Sequence, residues 1–98
     1  MLYLIAELTI KPGSLDAVRA AVAPCIEATR KEPGCISYEL FSSIEDETRL
    51  VFVERWKSRA DLDLHFETPH LVAWRDAGGK YISGRKIEVI ENGTVTVL

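Results

Sequence analysis

The sequence predicts an α+β fold in the order βαββαβ, and three observations carry that reading. Stretches rich in apolar and β-prone residues alternate with stretches of helical spacing, Gly/Pro signals punctuate them, and the strand-like stretches are apolar at both odd and even positions. With 98 residues, 47% of them apolar and 28% charged, the chain suits one small globular domain over residues 1–98.

The elements follow in order. Leu2 to Ile10 reads as a strand closed by the turn Lys11-Pro12-Gly13. Ser14 then caps a helix in which Leu15, Val18, Val22, Cys25, Ile26 and Thr29 recur at helical spacing as far as Glu32-Pro33-Gly34. Pro24 removes a backbone donor inside that run, so a kink is expected there. Cys35 to Ser43 and Thr48 to Lys57 form a hairpin around the acidic turn Ile44-Glu45-Asp46-Glu47, which reads as solvated. Ser58 and Asp61 resemble a capping box opening a short helix from Arg59 to Phe66. Thr68 suits an N-cap and Pro69 the first helical position, so a second segment runs through His70, Leu71 and Trp74 to Gly78-Gly79. Arg85 to Leu98 alternates as strand, interrupted by Asn92-Gly93.

This order is the ferredoxin-like split βαβ arrangement, with two helices on one face of a four-stranded antiparallel sheet. The other face is left bare. Leu50, Phe52, Glu54 and Trp56 fall on one side of the third strand, and Val51 and Val53 on the other, as Tyr3 and Ile5 oppose Leu2, Leu4 and Leu8 in the first. A half-solvated antiparallel sheet shows a clean polar face, so a second copy is expected to cover this one as a homodimer. A chain this short buries only about 60 to 65% of its unfolded surface, which favours the same conclusion.

Charge and cysteine content exclude other classes. The net charge of −3 comes from interleaved acids and bases without a basic stripe, so nucleic acid is not expected as a partner. No apolar run approaches the ~20 residues of a membrane span, and Met1 leads into Leu2-Tyr3-Leu4 without a basic export signal, so the expected location is cytoplasmic. Cys25 and Cys35 have no companions at zinc spacing and read as reduced packing residues; no metal site is expected.

Three stretches together carry a resemblance: Glu32-Pro33-Gly34-Cys35-Ile36-Ser37-Tyr38-Glu39-Leu40, Val53-Glu54-Arg55-Trp56-Lys57-Ser58, and His65-Phe66-Glu67-Thr68-Pro69-His70. Their order and spacing resemble the antibiotic biosynthesis monooxygenase family, in its quinol-monooxygenase-like branch, over essentially the whole chain. The resemblance implies a dimeric α+β barrel that oxidises a small aromatic phenol or quinol with O₂, using neither metal nor flavin. No Gly-rich dinucleotide fingerprint or P-loop is present, in keeping with an expected absence of cofactors. Haem-degrading relatives of the fold use an asparagine in the first strand; the only asparagine here is Asn92, and the late helical stretch reads Ala73-Trp74-Arg75-Asp76, so haem is disfavoured.

The candidate catalytic residues are His65, Glu54, His70 and Asp61. Asp61 lies four residues before His65 and can share its helix face, orienting the imidazole. Glu54, among aromatics, would have its pKa raised if its strand face lines a cavity. His70 stands at a helix start, where the positive end favours the neutral ring. Against these stand a surface or capping His65, a structural His70 and a Glu54 paired in solvent. Trp56, Phe66 and Trp74 could hold a flat ring and Tyr38 could bond a substrate oxygen, unless all four are core residues. Two rival functions share the scaffold: an isomerase or lyase working by proton transfer, whose phosphorylated substrate would need Arg55, Arg75 or Lys80, and a non-catalytic dimer that binds a small molecule.

Overall fold

The structure, a computed structural model, describes residues 1–98. Its elements are β1 (Leu2–Ile10), α1 (Leu15–Thr29), β2 (Cys35–Ser42), β3 (Arg49–Trp56), α2 (Arg59–Phe66), α3 (Pro69–Gly78), a 3₁₀ turn at Gly79–Tyr81, and β4 (Ile82–Ile90). The sheet order is β2-β3-β1-β4, antiparallel throughout. This is the expected ferredoxin-like α+β arrangement. Gly13 supplies the positive φ (79°) of the turn after β1, and Asp46 ties the β2–β3 turn by accepting from both the backbone N–H and the hydroxyl of Thr48.

Strand alternation sets which side chains meet the helices. In β1, Leu2, Leu4, Ala6, Leu8 and Ile10 are buried; in β3, Leu50, Phe52, Glu54 and Trp56 are. Val18, Val22 and Cys25 of α1, Leu62 of α2, and Leu71 and Trp74 of α3 close the core above them. Every buried apolar strand residue lies on this helix-covered side. On the opposite face Tyr3, Ile5, Val51 and Val53 are half-buried, and Phe41 and Ile90 are each 48% exposed.

Three local expectations change. Helix α1, with Pro24 inside it, ends at Thr29, short of Glu32-Pro33-Gly34, because Lys31 and Glu32 bond back to Ala28 and Thr29 in a tightened turn. Ser14 does not cap through its side chain; its hydroxyl donates to the Lys11 carbonyl. The last strand begins at Ile82 and ends at Ile90: Asn92 takes positive φ (57°), and Thr94 to Leu98 pair with no strand. An alternating pattern forms a strand only where a neighbouring strand takes its hydrogen bonds.

Candidate active site

A cavity of about 60 Å³ lies between the sheet and helices α2 and α3. Leu4, Ala6, Phe52 and Glu54 supply its sheet wall, His65, Phe66, Leu71 and Trp74 its helical wall, and Arg75 and Arg85 are among its polar lining. A larger concavity of about 490 Å³ near Thr9, Ser43, Arg49 and Gly84 is wide, polar and lacks both histidines. The smaller cavity is therefore where buried proton-handling groups and apolar walls coincide.

Glu54 stands in the centre of the sheet, opposite Leu4 of β1 and Tyr38 of β2. Only 4% of it is exposed. Burial pushes its carboxyl up to about 7, outweighing the Trp56 indole N–H that donates to it at 3.0 Å; repulsion from Glu32 acts in the same direction as burial. Near neutral pH this carboxyl exchanges its proton readily.

His65, in the last turn of α2, is 1% exposed, with ring centres 4.6 Å from Trp56 and 5.5 Å from Tyr38. Its Nδ1 lies 2.8 Å from Oε2 of Glu32, and Nε2 of His70 reaches the same oxygen at 2.8 Å. A carboxylate only accepts, so each imidazole donates, which assigns the proton of neutral His65 to Nδ1 and leaves an Nε2 lone pair. Burial lowers the His65 pKa, more than the Glu32 hydrogen bond and charge raise it, so the ring is neutral near pH 7. No fully buried polar side-chain atom lacks a partner. His65 Nε2 and the second oxygen of Glu54 have none among the hydrogen bonds, and both residues line the cavity, where those atoms remain open to a ligand.

Several residues stand elsewhere than expected. Asp61 does not hold His65: its backbone N–H takes the Ser58 hydroxyl oxygen at 3.2 Å, and its carboxylate accepts from that hydroxyl at 2.8 Å. Ser58 is the cap, and its hydroxyl holds the Asp61 carboxylate at the start of the helix, away from His65. Glu32, in the α1–β2 loop, occupies the position assigned to Asp61; it fell within the first recognition stretch but was read only as part of a helix stop. Trp56 is fully buried beside Glu54 and His65 and lines no part of the cavity; its indole N–H donates to Glu54. Tyr38 presents its ring to the cavity, while its hydroxyl faces Cys25 Sγ at 3.9 Å. His70 contacts Glu32 from the outer side, 22% of its side chain exposed. Of the cations considered for a phosphate, Arg55 lies over the Tyr3 ring and Lys80 over the Tyr81 ring; Arg75 alone lines the cavity.

The sequence reading named no metal ligands, yet the fold brings donor atoms of Glu32, His65 and His70 within 4.8 Å of one another. One carboxylate and two imidazoles form a donor set that transition metals accept. In the arrangement described, both imidazoles are hydrogen-bonded to the carboxylate, and a cation would have to displace those protons.

The chain resembles several known proteins. It is 38% identical over 63 residues to the protein sll1783 of Synechocystis, spanning 64% of this chain but only 43% of that protein. "Putative monooxygenase Rv0793" of Mycobacterium tuberculosis is 38% identical over 79 residues, 81% of this chain and 77% of the relative. The solved structure of Rv0793 superimposes with a TM-score of 0.87 over 98% of each chain, at 31% identity. "Probable quinol monooxygenase YgiN" of Escherichia coli is 30% identical, covering 95% of this chain and 99% of the relative. With residues 1–77 matching the family described as antibiotic biosynthesis monooxygenase, the chain belongs to that family.

Proposed function

We propose that the protein oxidises a small phenol or quinol with O₂, without a resident cofactor, and that His65 starts the reaction as general base. The observation that carries this reading is the neutral His65, tied to Glu32 through Nδ1, on the wall of an apolar cavity that also holds Glu54. His65 Nε2 takes a phenolic proton, the Glu32 carboxylate stabilises the imidazolium that forms, and Glu54 gives or takes the second proton. The quinol anion then reduces O₂ directly. One oxygen atom enters the ring, the other leaves as water, and the quinol, oxidised by four electrons to a hydroxyquinone, supplies every electron needed. Dry walls formed by Phe52, Phe66, Leu71 and Trp74 limit side reactions of the intermediates. Phe66 and Trp74 are the aromatic faces for the ring.

The similarity to YgiN, described as a probable quinol monooxygenase, supports a quinol as the substrate class. We further propose that the working form is a homodimer closed over the sheet face that carries Tyr3, Ile5, Val51 and Val53, as a single domain in the cytoplasm. Two unpaired thiols suit that reducing compartment, and no helix is long and apolar enough to cross a membrane. The deciding experiment is O₂ uptake by metal-stripped protein over a panel of phenols and quinols, with His65→Ala alongside. Turnover should fall by about 10² to 10⁴-fold in the variant. Uptake no faster than uncatalysed autoxidation across the panel would overturn the reading, and proton exchange without O₂ uptake would point to an isomerase.

A further inference from the structure

Arg75 on α3 and Arg85 on β4 border the same cavity, and both are exposed. Neither takes part in an ion pair or a side-chain hydrogen bond; Lys11, Arg49 and Lys57 are equally free, but none of those borders this cavity. Arg85 lies in the row opposite Leu8, so it belongs to the helix-covered side of the sheet, and Arg75 follows Trp74 of the cavity wall. In a chain of 15 acids and 12 bases, two cations without counter-charge at one cavity are a local positive field against the overall sign. Glu54 does not answer them, for its carboxyl is governed by burial, Trp56 and Glu32. The cavity volume of about 60 Å³ is below even the roughly 150 Å³ that takes a benzene ring, so one ring, admitted as the exposed rim side chains move aside, is the most it can hold and a polycycle is excluded.

We propose that the substrate is a single-ring phenol or quinol bearing a carboxylate, with the ring among Phe66, Leu71 and Trp74 and the carboxylate held at the rim by Arg75 and Arg85. This rests on the quinol-oxidation reading and adds to it a substrate class and two specificity residues. Guanidinium forks match a carboxylate in geometry as well as charge. The hydroxyl to be deprotonated then points inward to His65, and the charged end never has to be desolvated.

The test compares hydroquinone with 2,5-dihydroxybenzoate by quenching of tryptophan fluorescence and by calorimetry, in the wild type, Arg75→Gln, Arg85→Gln and the double variant. The wild type should bind the carboxylated ring about tenfold more tightly than the neutral one. Each single variant should reduce that preference and the double variant remove it, while hydroquinone affinity stays within about twofold; about 1 M salt should shrink the preference in the wild type. Equal affinity for the two rings, or a preference that survives in the double variant, would overturn the proposal while leaving quinol oxidation standing. Arginine-dependent binding of 2,5-dihydroxybenzoate without O₂ uptake would keep the anion site and remove the oxidation chemistry. Binding of neither ring would remove both.

Discussion

Replacing Glu54 by Gln should make the protein more stable and less active, with the stability gain appearing only as pH rises. The carboxyl sits at about 7 in the folded chain, against an ordinary value of 4.5. At about 1.4 kcal/mol per pH unit, that displacement is worth about 3 kcal/mol. Folded protein keeps the proton up to about pH 7, while the unfolded chain has released it by about 4.5. Between these values the folded state binds more protons, so stability is fully present below 4.5 and is lost as pH climbs through 7. Gln has no charge to bury and still offers the Trp56 N–H an oxygen, so the variant escapes the loss. Urea denaturation at fixed protein concentration should show wild type and Glu54→Gln nearly equal near pH 4.5 and separated by about 3 kcal/mol near pH 8, which is ten degrees or more in Tm for a domain of this size. Meanwhile kcat/KM should fall about 10²-fold, the usual loss when a positioned proton donor is removed. A stability difference independent of pH would refute the claim that burial holds Glu54 protonated.

Glu32→Gln removes the charge facing the imidazolium. Opposite charges about 4 Å apart at an effective dielectric of about 20 interact by about 4 kcal/mol, so kcat/KM should drop by up to about 10³-fold. The rising limb of the pH profile should move further below the ordinary histidine value, because Glu32 is what raises His65 against burial; an unmoved limb would remove Glu32 from the mechanism. His70→Ala should cost less, since its ring meets Glu32 on the outer side. Gly34→Ala would place a Cβ 2.2 Å from Asp61 Cβ and should destabilise the fold by about 1 to 3 kcal/mol, read as a lower denaturation midpoint; an unchanged midpoint would mean that the α1–β2 loop yields freely. Val53→Lys puts a charge between Ile5 and Glu39 on the bare sheet face and should leave a monomer in light scattering, while persistence of a dimer would place the interface elsewhere.

The fold was legible where its causes are local. Ser58 and Thr68-Pro69 mark helix starts, and both helices begin there: Ser58 gives its hydroxyl oxygen to the Asp61 N–H and Pro69 fits a first turn that tolerates a missing donor, whereas the Thr68 hydroxyl makes no cap and donates to the His65 carbonyl. Apolar residues on both faces of β1 and β3 likewise identified a sheet with one face packed under helices and another only half covered. Thr94 to Leu98 misled for the opposite reason: alternation describes the side chains of a strand, but pairing depends on a partner strand, and β4 pairs only with β1.

The site was legible by residue type and less so by contact. Glu54 and His65 could be named as candidates because a carboxylate in a row with Phe52 and Trp56, and a histidine beside Phe66, stand out against apolar surroundings, and the fold places both on the wall of one cavity. Glu32 was not, since it meets His65 across 33 positions of chain, and helical spacing offered Asp61 as a nearer partner. That local offer failed because the Ser58 hydroxyl, one helical turn earlier, donates to the Asp61 carboxylate at 2.8 Å. Trp56 and the Tyr38 hydroxyl stand away from the cavity for reasons of packing: the Trp56 ring is fully buried and outside the lining, and the Tyr38 hydroxyl faces Cys25 Sγ. Among the buried side chains on the cavity wall, the fold leaves Nε2 of His65 and the second oxygen of Glu54 without a partner, and these are the atoms that the proposed chemistry uses.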